Sequence, residues 1–279
     1  MPIAPQYEAD AAAILKRRYD NGHDYWATPD QKLIKGSPFN TLHCAYMLAE
    51  LGMDPHEPVL KETADLIFSA WREDGRFQLY PQGAIYPCQT ANAARTLCHL
   101  GYAQDPRLQK TFDHLLEIRH RDGGWRCNKF SYGRGPETEF SNPGPTLLAL
   151  DAFRFSPSFH QSDALDRTVD FLLSHWTTRQ PLGPCHYGIG TLFMQVTFPF
   201  AAYNLLFYVY VLSFYDRAKR DERLLEALTV LQSKLADHQI VVERPNQKLA
   251  SFAFCKKGEP SALATERYHE ILRNLADNR

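Results

Sequence analysis

Four side chains are the candidate metal ligands: Cys88, Cys127, Cys185 and His186. Thiolate and imidazole suit tetrahedral zinc, and three protein ligands with one open position would make such a metal catalytic. Bound zinc would lower the pKa of a thiol or a water and so activate a nucleophile. The spacing follows no compact zinc pattern. The plainer alternative is that the thiols pack in turns while His186 caps a helix or faces solvent. His43, alone in an apolar run, is likewise either a ligand or a core histidine.

A second group would bind rather than react. Gln89 and Asn92 lie three apart in an otherwise apolar segment, and buried amides need partners. They either bond neighbouring helices or line a polar part of a cavity. Tyr203, Phe207, Tyr210 and Phe214 recur at helical spacing, which places them on one helix face. An aromatic wall stabilises cations, but an aromatic stripe on a helix is more often core. Trp125 ends Asp122-Gly123-Gly124-Trp125, where glycine allows a tight turn and the indole can plug adjacent hairpins. Gln89, Asn92, Trp125, Tyr203, Phe207 and Tyr210 are thus the candidate ligand contacts. Glu137 and Glu139 lie in a loop over 129–145 that is long enough to act as a lid.

The elements that must position these groups follow a repeat. Pro38, Pro87, Pro143, Pro199 and Pro260 each precede a helix-like run, strongly apolar in the first four, at intervals of roughly fifty to sixty residues. Proline suits the first helical turn, where its missing N–H would be unpaired anyway. Amphipathic segments alternate with these runs at 55–71, 106–120, 163–176 and 221–235. Leu51-Gly52 and Leu100-Gly101 read as matching glycine stops, and Asp74-Gly75-Arg76-Phe77 matches Asp122-Gly123-Gly124-Trp125. The expected unit is an inner helix apolar nearly all round, a turn, an outer amphipathic helix and a Gly/aromatic loop. About five such hairpins make the fold all-α, and the apolar inner set favours closure on itself over an open stack. One domain over 1–279 is expected, with a lead-in helix over 1–36 and repeats over 37–279. A strand-like stretch is limited to Ile240-Val241-Val242.

The 279 residues carry a net charge of −1 with 44% hydrophobic and 23% charged side chains, so neither disorder nor a nucleic-acid partner is expected. The apolar run over 198–214 is short for a membrane span and is broken by Asn204 and Ser213. A cytoplasmic protein with reduced thiols at all six cysteines is expected. Peripheral membrane contact and oligomeric state stay open.

Proline-led inner helices, Asp-Gly-Gly-Trp loops and the period near fifty resemble the (α/α) toroid of terpenoid cyclases and protein prenyltransferase β-subunits. Within that group the chain is most similar to small bacterial prenyltransferase-like, or squalene-cyclase-like, proteins. The likeness runs from about Pro38 onward and is densest from Tyr86 to Cys127. It implies a lipophilic, isoprenoid-type substrate in a central cavity. Where class II cyclases carry their acidic Asp-x-Asp-Asp, this chain has Tyr86-Pro87-Cys88-Gln89, with no acid to protonate a double bond. Asp163-Ala164-Leu165-Asp166 is a near match but reads as an N-cap with a first-turn acid. Cys88 matches the zinc cysteine of protein prenyltransferases, with Tyr86 in place of the aspartate, and His43 is comparable to their histidine. Cys127 with Cys185-His186 resembles the zinc ligands of lanthipeptide cyclases. Three readings follow: a transferase or cyclase acting on a lipophilic molecule, a non-catalytic scaffold for a lipid or peptide, and a zinc-thiolate enzyme acting on a peptide.

Overall fold

A computed structural model describes residues 3–127, 133–160 and 162–276. The protein is all-α. Its backbone gathers into two units, 1–117 with 252–254, and 118–251 with 255–279. The first unit holds α1 (Glu8–Lys16), α2 (Thr41–Glu50), α3 (Pro58–Ser69), α4 (Pro87–His99) and α5 (Pro106–Glu117). The second holds α6 (Pro143–Phe153), α7 (Asp166–Thr178), the single turn α8 (Thr191–Met194), α9 (Leu205–Leu212), α10 (Asp216–Lys219), α11 (Glu222–Gln232) and α12 (Ala262–Ala276). A two-residue antiparallel pair joins β1 (Leu235–Ala236) to β2 (Gln239–Ile240). No described helix is long and apolar enough to cross a membrane.

The hairpins are α2–α3, α4–α5, α6–α7 and α9–α11, each pair in contact, and α12 packs on α9. Proline opens the first helix only at Pro87 and Pro143. Helices α2 and α9 start later, at asparagine caps: the Asn40 side chain accepts the His43 N–H at 3.1 Å, and Asn204 accepts that of Phe207 at 3.2 Å. An N-cap side chain meets one of the unpaired first-turn donors, so it sets the helix start where proline cannot. The expected helix over 198–214 therefore shrinks to Leu205–Leu212, and Tyr203 and Phe214 lie outside it. Asp163 is not a cap either. Ser162 accepts the Ala164 N–H, and Asp163 sits in the 3-10 turn leading into α7.

One device recurs between hairpins. The aromatic residue ending a Gly/aromatic loop donates its backbone N–H to a threonine on the next proline-led helix: Phe77 to Thr90 at 3.2 Å and Trp125 to Thr146 at 3.1 Å. Ile240 repeats it with Thr265 at 3.0 Å. The loop glycine packs on the following second helix. A Cβ on Gly75 would lie 2.6 Å from the Lys110 carbonyl, and one on Gly123 would lie 2.4 Å from that of Arg167. Both glycines also take positive φ, which L-residues adopt at a cost. That double demand explains the matching Asp-Gly motifs.

Candidate functional site

In the first unit, α2 and α4 face each other with polar side chains between them. Asn40, the cap of α2, and Tyr46 and Glu50 on that helix are buried, as are Gln89, Arg95 and Thr96 on α4. The Arg95 guanidinium lies 4.0 Å from the centre of the Tyr46 ring. That ring meets His99 edge-on at 4.8 Å, and His99 Nδ1 stands 3.7 Å from Glu50 Oε1. His43 and Asn92 keep part of their surface. Withdrawal from water, helped by the Arg95 charge, pushes His43 down to about 4, so its ring is neutral at pH 7. Asn40 Nδ2 lies 3.2 Å from its Nδ1, which fits a neutral ring accepting there.

Gln89, 8% exposed, has an amide oxygen that is fully buried and meets no protein donor. It shares its helix side with Asn92, Thr96 and His99 by three- and four-residue spacing. Cys88 lies half-buried one position earlier, in the first turn of α4.

In the second unit three segments converge on the start of α6. Asn142 donates its backbone N–H to the Trp125 carbonyl at 3.0 Å, and its side-chain oxygen accepts the Cys185 N–H at 2.9 Å. The loop from Leu182 to Tyr187 closes on itself through paired backbone bonds of 2.8 and 3.0 Å. It rests on Gly144, where a Cβ would come 2.5 Å from the Tyr187 ring. This brings Cys185 to Cys127, and their thiols hydrogen-bond. Burial and the neighbouring Cys127 sulfur push the Cys185 thiol up to about 11.

Two of the four expected metal ligands thus meet. His186 is exposed, with left-handed φ of 59° at the tip of its turn. Among the described residues no three His, Cys, Asp or Glu side chains converge as a metal needs. Two thiols alone fall short of the three or four donors that zinc takes.

The aromatic candidates are packed. Trp125 is buried and stacks on Phe153 at 5.9 Å. Phe207 and Tyr210 are buried against Phe200 at 4.9 and 5.0 Å, and the Tyr210 hydroxyl donates to Glu270 at 2.9 Å. Tyr203 alone keeps some surface. Its hydroxyl lies 2.9 Å from His175 Nδ1, and His175 Nε2 lies 2.9 Å from the Gln180 carbonyl. A carbonyl only accepts, so Nε2 carries the proton and Nδ1 takes the Tyr203 O–H. Burial pushes His175 down to about 4 and Tyr203 well up, which keeps both neutral. Glu137 and Glu139 stand in a 3-10 turn, with the Glu139 carboxylate 3.8 Å from Arg126. The start of their proposed lid, 129–132, lies outside the described residues.

Sequence reasoning passed over Arg95, His99 and His175. For the first two a signal existed: a charged residue and a histidine inside a run otherwise suited to complete burial. His175 ends an ordinary amphipathic helix, where nothing marks it. No protein-family model matches this chain, and no curated protein matches it.

Proposed function

We propose that the protein holds a lipophilic, isoprenoid-type molecule against α2 and α4, with the molecule's polar end at Gln89, Asn92 and His43. The observation that carries this reading is the buried Gln89 amide oxygen, which meets no protein donor on a helix otherwise committed to burial. Leaving such an acceptor unpaired costs about 1–3 kcal/mol, and a ligand hydroxyl would recover it. A prenyl alcohol supplies that donor together with an apolar chain. The closed ring of five hairpins implied by the resemblance belongs to the same reading. So does the absence of cyclase-type protonation, since Tyr86-Pro87-Cys88-Gln89 at the start of α4 holds no acid.

The test is native mass spectrometry of the protein as purified and after addition of farnesol, on wild type and Gln89→Leu. One prenol per chain is expected, held at least tenfold more weakly by the variant. No adduct with any prenol, or equal binding by both proteins, sinks the reading.

A further inference from the structure

The Cys127–Cys185 contact lies in the second unit, is not among the residues proposed to hold the lipid, and has its own chemistry. The two residues sit on separate loops, and Asn142 fixes both by bonding the Trp125 carbonyl on one side and the Cys185 N–H on the other. Their thiols hydrogen-bond. Access differs: Cys127 is 3% exposed, whereas Cys185 keeps part of its surface. One sulfur can therefore meet a reagent from solution while its neighbour waits behind it, shielded. Cys44, Cys98 and Cys255 are buried.

We propose that Cys127 and Cys185 form a dithiol site that closes to a reversible disulfide when the protein meets a hydroperoxide. In the first step the Cys185 thiol loses its proton and attacks the peroxide. The O–O bond breaks, an alcohol leaves, and Cys185 carries a sulfenic acid. The Cys127 sulfur then attacks the Cys185 sulfur, water leaves, and the S–S bond forms. Two thiols are oxidised by two electrons and one peroxide is reduced to alcohol and water. The bond clamps the loop Leu182–Tyr187 to the segment after Trp125, and a dithiol reductant reopens it. Because the Cys185 thiol is pushed up to about 11, little thiolate exists at pH 7, so closure is slow there and speeds with pH.

The experiment treats the reduced full chain with tert-butyl hydroperoxide, then counts thiols in denaturant and maps peptides by mass spectrometry. Loss of two of the six thiols is expected, with one cross-linked peptide pair containing Cys127 and Cys185, restored by dithiothreitol. The rate should rise close to tenfold per pH unit between 7 and 9, about the limit for a thiol of that acidity. Cys127→Ser should lose the cross-link and accumulate sulfinic or sulfonic acid at Cys185. If that variant fails to fold, the wild-type map decides alone. Over-oxidised Cys185 beside an intact Cys127 thiol in the wild type would overturn the proposal, as would cross-links among the other cysteines in equal yield.

Discussion

Helices α4 and α9 each begin a hairpin, one per unit, and they bury opposite chemistry. Every residue of α9 is buried, and all are aliphatic or aromatic. Its neighbour α6 adds one charge, Asp151, which meets Arg154 at 2.6 Å with both side chains almost fully buried. Aromatic rings cover that guanidinium, with Phe155 at 4.2 Å and Phe214 at 4.3 Å. Helix α4 instead buries Gln89, Arg95 and Thr96 and leaves Asn92 partly open. Apolar burial stabilises at about 25 cal/mol per Å², whereas a buried amide or charge at best breaks even. A helix in this position can thus be built without polar groups, as α9 shows. On α4 the Gln89 amide oxygen meets no protein donor, and that cost is what our proposal of a ligand in the first unit rests on.

The largest effect should come from the second unit's ion pair. Asp151→Ala strands a buried guanidinium and should cost about 3–5 kcal/mol in urea denaturation. A loss under 1 kcal/mol would mean that the second unit does not depend on this buried charge pair, and the contrast would fail.

Next in size is a pH effect. In the fold His175 is pushed down to about 4, whereas the unfolded chain keeps the ordinary value near 6.5. Above pH 6.5 neither state binds the proton and stability is flat. As pH falls from there toward 4 the unfolded chain takes up a proton that the fold refuses, so stability drops by up to about 3 kcal/mol. Urea midpoints at pH 7, 5.5 and 4.5 should show this slope, and His175→Gln should flatten it. His43 titrates with the same sign in the first unit, so the double variant should be flatter still.

The asparagine caps should make the units equal. Asn40→Ala and Asn204→Ala should each cost about 1 kcal/mol, because each removes one bond to a first-turn N–H. A much larger loss at Asn40 would show that its contact with His43 matters beyond capping. Smallest of all, Gln89→Leu should change stability by less than about 1 kcal/mol, or raise it, because no protein bond to its amide oxygen is lost. A strong destabilisation would move Gln89 from recognition to structure.

Several features were legible from residue order. Alternating apolar and amphipathic runs announced the hairpins, since a helix presents one face every three to four residues. The Gly52 and Gly101 stops hold, with φ of 88° and 87°. The glycine of each Asp-Gly loop was legible because only glycine tolerates both its φ and its contact. The start of α9 was misplaced because an asparagine cap outweighs an apolar run. Tyr203 consequently left the helical stripe and paired with His175.

By itself, then, the order of residues determined an all-α chain of hairpins, because periodicity and turn chemistry act over a few neighbouring positions. It also fixed that Tyr86-Pro87-Cys88-Gln89, at the start of α4, carries no acidic side chain. Only the tertiary structure decided that Cys127 meets Cys185 while His186 stays exposed, and that Arg95 lies over Tyr46. Those outcomes depend on residues far apart in the chain being brought together by close packing, and no local pattern encodes which side chains will meet.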